Sequence, residues 1–215
     1  AAIKLIRAEC ASSSNAIARF EQEVQLSATL SHWNTVQIYD YGRTAAGDFF
    51  YVMEYLEGQT LAERLESDGP MDVEAAIHVV NQICNGLEEA HAKSLVHRDL
   101  KPANIFLTEV GNEHNVVKIL DFGLATYHTS PDQDRSVSGS PAYMSPEQIR
   151  GESVDGRSDI YSIGCVLYEC LTCEALFSGN SISDILNKHL AGQPKIELSP
   201  ELSSSLGPII EKCIS

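Results

Sequence analysis

Seven apolar residues, Val73, Ala76, Ile77, Val80, Ile83, Leu87 and Ala90, recur at mostly three- and four-residue steps behind Asp72. That period marks one face of a helix, and Asp72 is a suitable N-cap, so a long helix from Asp72 to about Lys93 is expected. A stripe of that length must be buried against other elements, which restricts the fold more than any other feature. The chain before it has a different texture. Residues 1–6 read as a strand, and residues 15–30 place Ile17, Phe20, Val24 and Ala28 at helical spacing. Thr35–Tyr41 and Phe49–Tyr55 are β-rich runs, separated by a loop, Gly42–Asp48, with a Gly-Asp turn signal. Gly58–Pro70 is a short amphipathic piece closed by a Gly-Pro breaker. After the long helix come short strands at Asn104–Leu107 and Val116–Leu120, with the polar loop Thr108–Asn115 between them. Asp121–Glu147 is a polar segment without regular period, and Ser158–Leu171 returns to a helical pattern. The expected class is α+β: a small β-rich lobe with one helix, then a larger helical lobe.

The bulk numbers narrow the function. With 215 residues and 43% hydrophobic content, the chain can bury a real core. A formal net charge of −15 with no clustered basic stripe argues against nucleic acid or an anionic membrane as partner. It is compatible with basic peptides. No apolar run approaches the roughly 18 residues of a membrane span, and no signal-peptide pattern opens the chain. A cytoplasmic location is expected, either as a free protein or as the cytosolic part of a membrane-anchored one. The six cysteines are scattered, and Cys170 and Cys173 have the spacing of half a zinc site. With no second such pair, and in an apolar helical stretch, they read as core residues in a reducing compartment.

Four short segments carry the chemistry. They are His97-Arg98-Asp99-Leu100-Lys101-Pro102-Ala103-Asn104, Asp121-Phe122-Gly123, Gly139 through Glu147, and Ala2-Ile3-Lys4 with Glu23 on the helix that follows. In order and spacing the chain resembles the catalytic domain of the eukaryotic-type (Hanks-type) Ser/Thr protein kinases, and the likeness covers essentially all of it. The texture of Tyr143-Met144-Ser145-Pro146-Glu147-Gln148 and of Arg157 to Gly164 is most similar to bacterial members. The resemblance implies a single bilobal kinase domain over 1–215: a partial small lobe at 1–53, a hinge at 54–58 and a large lobe at 59–215. It implies phosphoryl transfer from ATP to Ser/Thr hydroxyls of protein substrates, Mg²⁺ (or Mn²⁺) as cofactor, and a role in signal transduction with autophosphorylation.

The resemblance also assigns roles. Asp99 would accept the proton of the substrate hydroxyl, and Lys101 would offset charge on the transferred group. Asn104 and Asp121 would hold the metal through hard oxygens. Lys4 would bind the α- and β-phosphates and be held by Glu23, which fits Phe-x-x-Glu; Glu21 is then a solvated helix charge. Met53 would be the gatekeeper beside the adenine, with backbone hydrogen bonds from Glu54 and Leu56, and Ala2 and Phe106 would flank the ring. Asp159 would brace the catalytic loop. Phosphate on Thr126, Thr129, Ser130, Ser136 or Ser138 would pair with Arg98. Ser136 and Ser138 lead because they lie nearest the Gly139-Ser140-Pro141 segment.

The pattern departs from the family in places. The family's Gly-rich loop is not found ahead of Lys4, and the sequence stops near Glu211-Lys212-Cys213, before the Arg that in the family pairs with Glu147. Weak nucleotide binding, lowered stability and an unsatisfied Glu147 are therefore expected for the chain taken alone. Ser140 stands where Thr is usual, Trp33 where Pro is frequent, and Ser27 where a packing residue is expected. Dimerisation is compatible with the resemblance, but no residue pattern specifies it. The rival readings are a pseudokinase scaffold, a small-molecule phosphotransferase and a structural domain. The presence of Lys4, Asp99, Asn104 and Asp121 weighs against the first, and the Ser145-Pro146-Glu147 platform against the second.

Overall fold

A computed structural model describes residues 1–6, 14–111, 113–122, 140–192, 194 and 196–215, with side chains of the first helix described from Glu21 onward. The long helix forms as α3, Val73–Ala92, and the Asp72 carboxylate accepts a hydrogen bond from the Ala75 amide at 2.8 Å. Its buried face is Ala76, Val79, Ile83, Gly86, Leu87 and Ala90. The stripe is thus rotated from the expected one: Val73 and Ile77 are 36% and 39% exposed. The cause is a close neighbour, β6 (Glu113–Ile119), which packs on α3 together with α5 (Gly156–Thr172). A Cβ on Gly86 would lie 2.8 Å from Ile119 Cδ1 and 3.2 Å from the Asn34 backbone oxygen, so only glycine lets these backbones approach.

The small lobe is a three-stranded antiparallel sheet in the order β1-β3-β2, from β1 (Ala2–Ile6), β2 (Ile38–Arg43) and β3 (Phe49–Met53). The predicted β runs form within a few residues of their expected limits. Helix α1 (Ser14–Ser27) packs Val24 with Ile38, Phe49 and Tyr51 in a small core of its own. Alternation along β3 puts Phe49 and Tyr51 on the buried face. Glu21, expected to be solvated, instead accepts from Nε and Nη2 of Arg43 at 2.9 and 2.6 Å, tying α1 to β2.

β3 ends at Met53 and the next element, β4 (Gly58–Thr60), begins the large lobe. That strand was not anticipated; it pairs with β5 (Ile105–Val110), which pairs with β6, and the hairpin runs three residues further toward its turn on each strand than expected. Thr60 and Glu63 form a capping box at the start of α2 (Leu61–Asp68). The main core draws Leu61 and Leu65 from α2, Ile83 and Leu87 from α3, and Ile163, Val166 and Leu167 from α5. Each such side chain contributes about 1.5–3 kcal/mol on burial. Helices α4 (Pro146–Arg150), α6 (Ile182–Ala191), α7 (Pro200–Ser205) and α8 (Gly207–Cys213) complete the lobe. Cys170 is buried in α5, where burial pushes its thiol up to about 12, and Cys173 ends that helix with a φ of 58°. Among the described residues no helix is long and apolar enough to cross a membrane.

Candidate active site

Asp159, in the first turn of α5, is fully buried, and its carboxylate collects three donors. The amides of His97 and Arg98 donate to Oδ2 and Oδ1 at 2.9 and 3.0 Å, and His91 Nε2 lies 2.7 Å from Oδ2. These bonds pin the loop after α3, in which Arg98 adopts a φ of 67°. A left-handed arginine persists only where its surroundings over-determine it. The His97 ring is also fully buried; Nε2 donates to the Leu120 carbonyl at 2.8 Å and Nδ1 accepts the Asp99 amide at 3.3 Å. His97 therefore joins the loop bearing Asp99 to the strand end bearing Asp121. Phe122 packs on the same ring at a centroid distance of 4.9 Å.

The chemistry-bearing side chains converge around Asp99. Lys101 Nζ is 2.8 Å from Asp99 Oδ2 and donates to Ser140 Oγ at 2.9 Å. The Ser140 amide donates to Asp99 Oδ1 at 3.2 Å, so the serine that replaces threonine still touches both. Asn104 Nδ2 donates to the Asp99 carbonyl at 2.8 Å and to its carboxylate at 3.1 Å. The Leu120 amide donates to the Asn104 carbonyl at 2.9 Å, which brings Asp121 to the same end of the hairpin. Gln148 of α4 donates to the Arg98 carbonyl at 2.7 Å, a contact not foreseen from sequence.

The lysine of the small lobe is placed differently from expectation. Lys4 Nζ pairs with Asp121 Oδ2 at 2.5 Å, and Glu23 pairs with Arg98 Nη1 at 3.0 Å. Lys4 and Glu23 are not joined in this structure. Each charge has taken a nearer partner across the cleft: Asp121 lies over the sheet face bearing Lys4, and Arg98 reaches α1. The residues expected around the adenine are placed as follows. Ala2 stands opposite Met53 in the β1–β3 register, and both are half-buried. The Glu54 amide is spent on the Gln37 carbonyl at 2.9 Å and its carboxylate on Lys118 at 3.0 Å. Leu56 is half-buried in the same connection, and Phe106 lies beside Gly58.

Two further expectations are corrected or fall outside. Glu147 is not unsatisfied, because the buried Ser158 hydroxyl donates to its Oε1. Ser27 is buried and returns its hydroxyl to the Glu23 carbonyl at 2.8 Å, so its polarity is absorbed within α1. Trp33 is 57% exposed with Lys118 Nζ 5.0 Å over its ring. Gly123, Thr126, Thr129, Ser130, Ser136, Ser138 and Gly139 lie outside the described residues.

The donor set suits a small hard cation. Asn104 makes its contacts through Nδ2 and so keeps its amide oxygen as an acceptor, and the Asp121 carboxylate already attracts a cationic group. One carboxylate and one amide oxygen are what a magnesium-sized ion takes from protein when phosphates and water supply the rest. Among the described residues no group of three or more His, Cys, Asp or Glu could hold a metal alone.

A sheet lysine, a loop aspartate flanked by lysine and asparagine, and a second aspartate on the hairpin end are thus brought to one site. The comparisons give the class. The family model "Protein kinase domain" matches residues 1–215, and the chain belongs to that family. It is 43% identical to the serine/threonine-protein kinase PknB of Mycobacterium leprae over 199 residues, 90% of this chain and 31% of that protein. Identity to PrkC of Bacillus subtilis is 42% over 195 residues, 89% of the chain and 29% of the relative. For pkn3 of Myxococcus xanthus it is 34% over 218 residues, 99% and 40%. The chain thus spans 29–40% of the length of these relatives. Membership in the family implies use of ATP and a divalent metal.

Proposed function

We propose that the chain transfers the γ-phosphoryl group of ATP to serine and threonine hydroxyls of protein substrates, with Mg²⁺ as the preferred cation and the cytoplasm as its place of action. The observation that carries this reading is the convergence of Lys101, Asn104 and the Ser140 amide on the Asp99 carboxylate. Asp99 accepts the proton of the acceptor hydroxyl while that oxygen attacks the γ-phosphorus; the bond to the β,γ-bridging oxygen breaks and ADP leaves. Lys101 Nζ, held between Asp99 and Ser140, offsets negative charge on the group in flight. Asn104 and Asp121 would hold Mg²⁺, which would supply neutralisation of phosphate charge. Lys4, whose side chain is 42% exposed, leaves Asp121 for the α- and β-phosphates. Glu23 then becomes its partner, and Arg98 is released toward a phosphate on the segment before Ser140. The adenine lies between Ala2 and Phe106, against Met53, with the Glu54 carbonyl and the Leu56 amide as its backbone partners in a hinge at 54–58. The segment from Ser140 to Glu147 receives the substrate strand.

The test is transfer of labelled phosphate from ATP to a general Ser/Thr acceptor protein by the natural chain carrying residues 1–215. Asp99→Asn is expected to lower turnover by roughly 10²–10⁴ with nucleotide affinity kept, the scale of a positioned base. Near-normal turnover in that variant removes Asp99 from its role. No transfer by the parent with either Mg²⁺ or Mn²⁺ points instead to a binding scaffold.

A further inference from the structure

Tyr51 is the largest side chain of the small-lobe core, 1% exposed at the centre of the middle strand. Its cross-strand neighbour on β1 is Lys4. Directly opposed residues of antiparallel strands project on the same face, so the phenol and the ammonium reach the same point in space. That point is Asp121: Lys4 Nζ holds Oδ2 and the Tyr51 hydroxyl donates to Oδ1, each at 2.5 Å. A phenylalanine would fill the same apolar space beside Val24, Ile38 and Phe49. Among the described residues it is Asp121 that accepts from the Tyr51 hydroxyl, and a buried phenol requires such a partner. Burial and the Asp121 charge both push the phenol's pKa up.

We propose that Tyr51 is a positioning residue for the metal-binding carboxylate of Asp121, an inference that rests on the reading of Asp121 given above. The two tethers differ in what nucleotide does to them. Lys4 is half-exposed and is drawn off to the phosphates, which frees Oδ2 for a cation. Tyr51 is enclosed and stays, so Oδ1 remains pinned and the carboxylate plane keeps its direction when its ion pair is lost. The backbone alone would not hold it, since Asp121 sits at a φ of 56°, a disfavoured region for a residue with a side chain. Hydrogen-bonded partners of metal ligands characteristically change metal affinity by about 10–100-fold when removed.

The experiment is a calorimetric titration of the natural chain with the non-hydrolysable β,γ-imido analogue of ATP across a series of Mg²⁺ concentrations. Wild type, Tyr51→Phe and Asp121→Asn are compared, with thermal midpoints recorded. Tyr51→Phe is expected to need about 10-fold more Mg²⁺ for half-maximal strengthening of nucleotide binding, with metal-free affinity unchanged. An unchanged Mg²⁺ requirement, with or without a lower midpoint, makes the hydroxyl merely structural and overturns the proposal. A lowered requirement overturns it too, since the phenol would then compete with the metal. Asp121→Asn separates the two claims: if it loses the Mg²⁺ response while Tyr51→Phe keeps it, the site stands and the positioning role falls. A wild type without any Mg²⁺ response removes both.

Discussion

Replacing Asp159 by asparagine keeps size and shape and removes one acceptor from a fully buried cluster. The carboxylate serves the His97 amide at 2.9 Å and His91 Nε2 at 2.7 Å on one oxygen, and the Arg98 amide at 3.0 Å on the other. Asparagine can present its oxygen to only one side, and its NH₂ then faces a donor. Leaving a buried donor unmade costs about 1–3 kcal/mol, and hydrogen bonds to a charged group are worth about 1.5–3 kcal/mol, so a loss near 3 kcal/mol is expected. At about 2–4 °C per kcal/mol for a chain of this size, the thermal midpoint falls by roughly 6–12 °C. Turnover should fall as well, by about 10²-fold, because Asp99 is two residues from the freed His97 amide and misplacement of about 1 Å has that effect. His91→Phe removes a single donor to the carboxylate and leaves both loop amides held, so about 1.5–3 kcal/mol and little loss of turnover are expected. Thermal scans and phosphate-transfer kinetics on the two variants decide it. A midpoint for Asp159→Asn within 1–2 °C of the parent, with normal turnover, would refute the view that this carboxylate holds the catalytic loop.

Gly86→Ala should destabilise the protein by about 1–3 kcal/mol in urea denaturation, the usual range for overpacking, despite a helix-propensity gain of up to about 1 kcal/mol. A more stable variant would show that β6 yields to the added methyl. His189 is buried against Phe177, and burial pulls its pKa down from 6.5 to about 4, against the carbonyls of Pro141 and Ala142, which favour the protonated ring. The unfolded chain takes up that proton near pH 6.5 and the folded one only near 4, so stability contributed by the neutral ring is lost as pH falls between these values. Thermal midpoints from pH 7 to 4 should drop less steeply for His189→Phe than for the parent, and an identical slope would dismiss the residue.

The elements were legible because their residues advertise them locally. Asp72 and its apolar stripe announced α3, and the β-rich run Phe49–Tyr55 announced β3. Register on the helix was less so: the inward turn of Val79 and Gly86 depends on β6 lying close, which no local pattern encodes. The strand Gly58–Thr60 escaped notice because three residues with no alternation carry no signal until β5 lies beside them. In the site, Asp99, Lys101, Asn104 and Asp121 stood out because the segments that bear them resemble those of the family. Tyr51 did not, although it was readable as a phenol on the buried face of a strand, on the same side as Met53.

Which residues carry charge, donate or accept, and which stretches become helix or strand, follows from the sequence, because capping, side-chain period and motif spacing act over a few bonds. Which charge meets which partner does not. Lys4 and Asp121 are 117 residues apart, and Glu23 and Arg98 are 75 apart. Motif spacing pointed to Lys4 with Glu23, but the choice between carboxylates at similar reach is made by where sheet, α1 and catalytic loop come to rest against one another. Only the packed tertiary structure sets those distances, and an ion pair decided by an ångström or two is settled there.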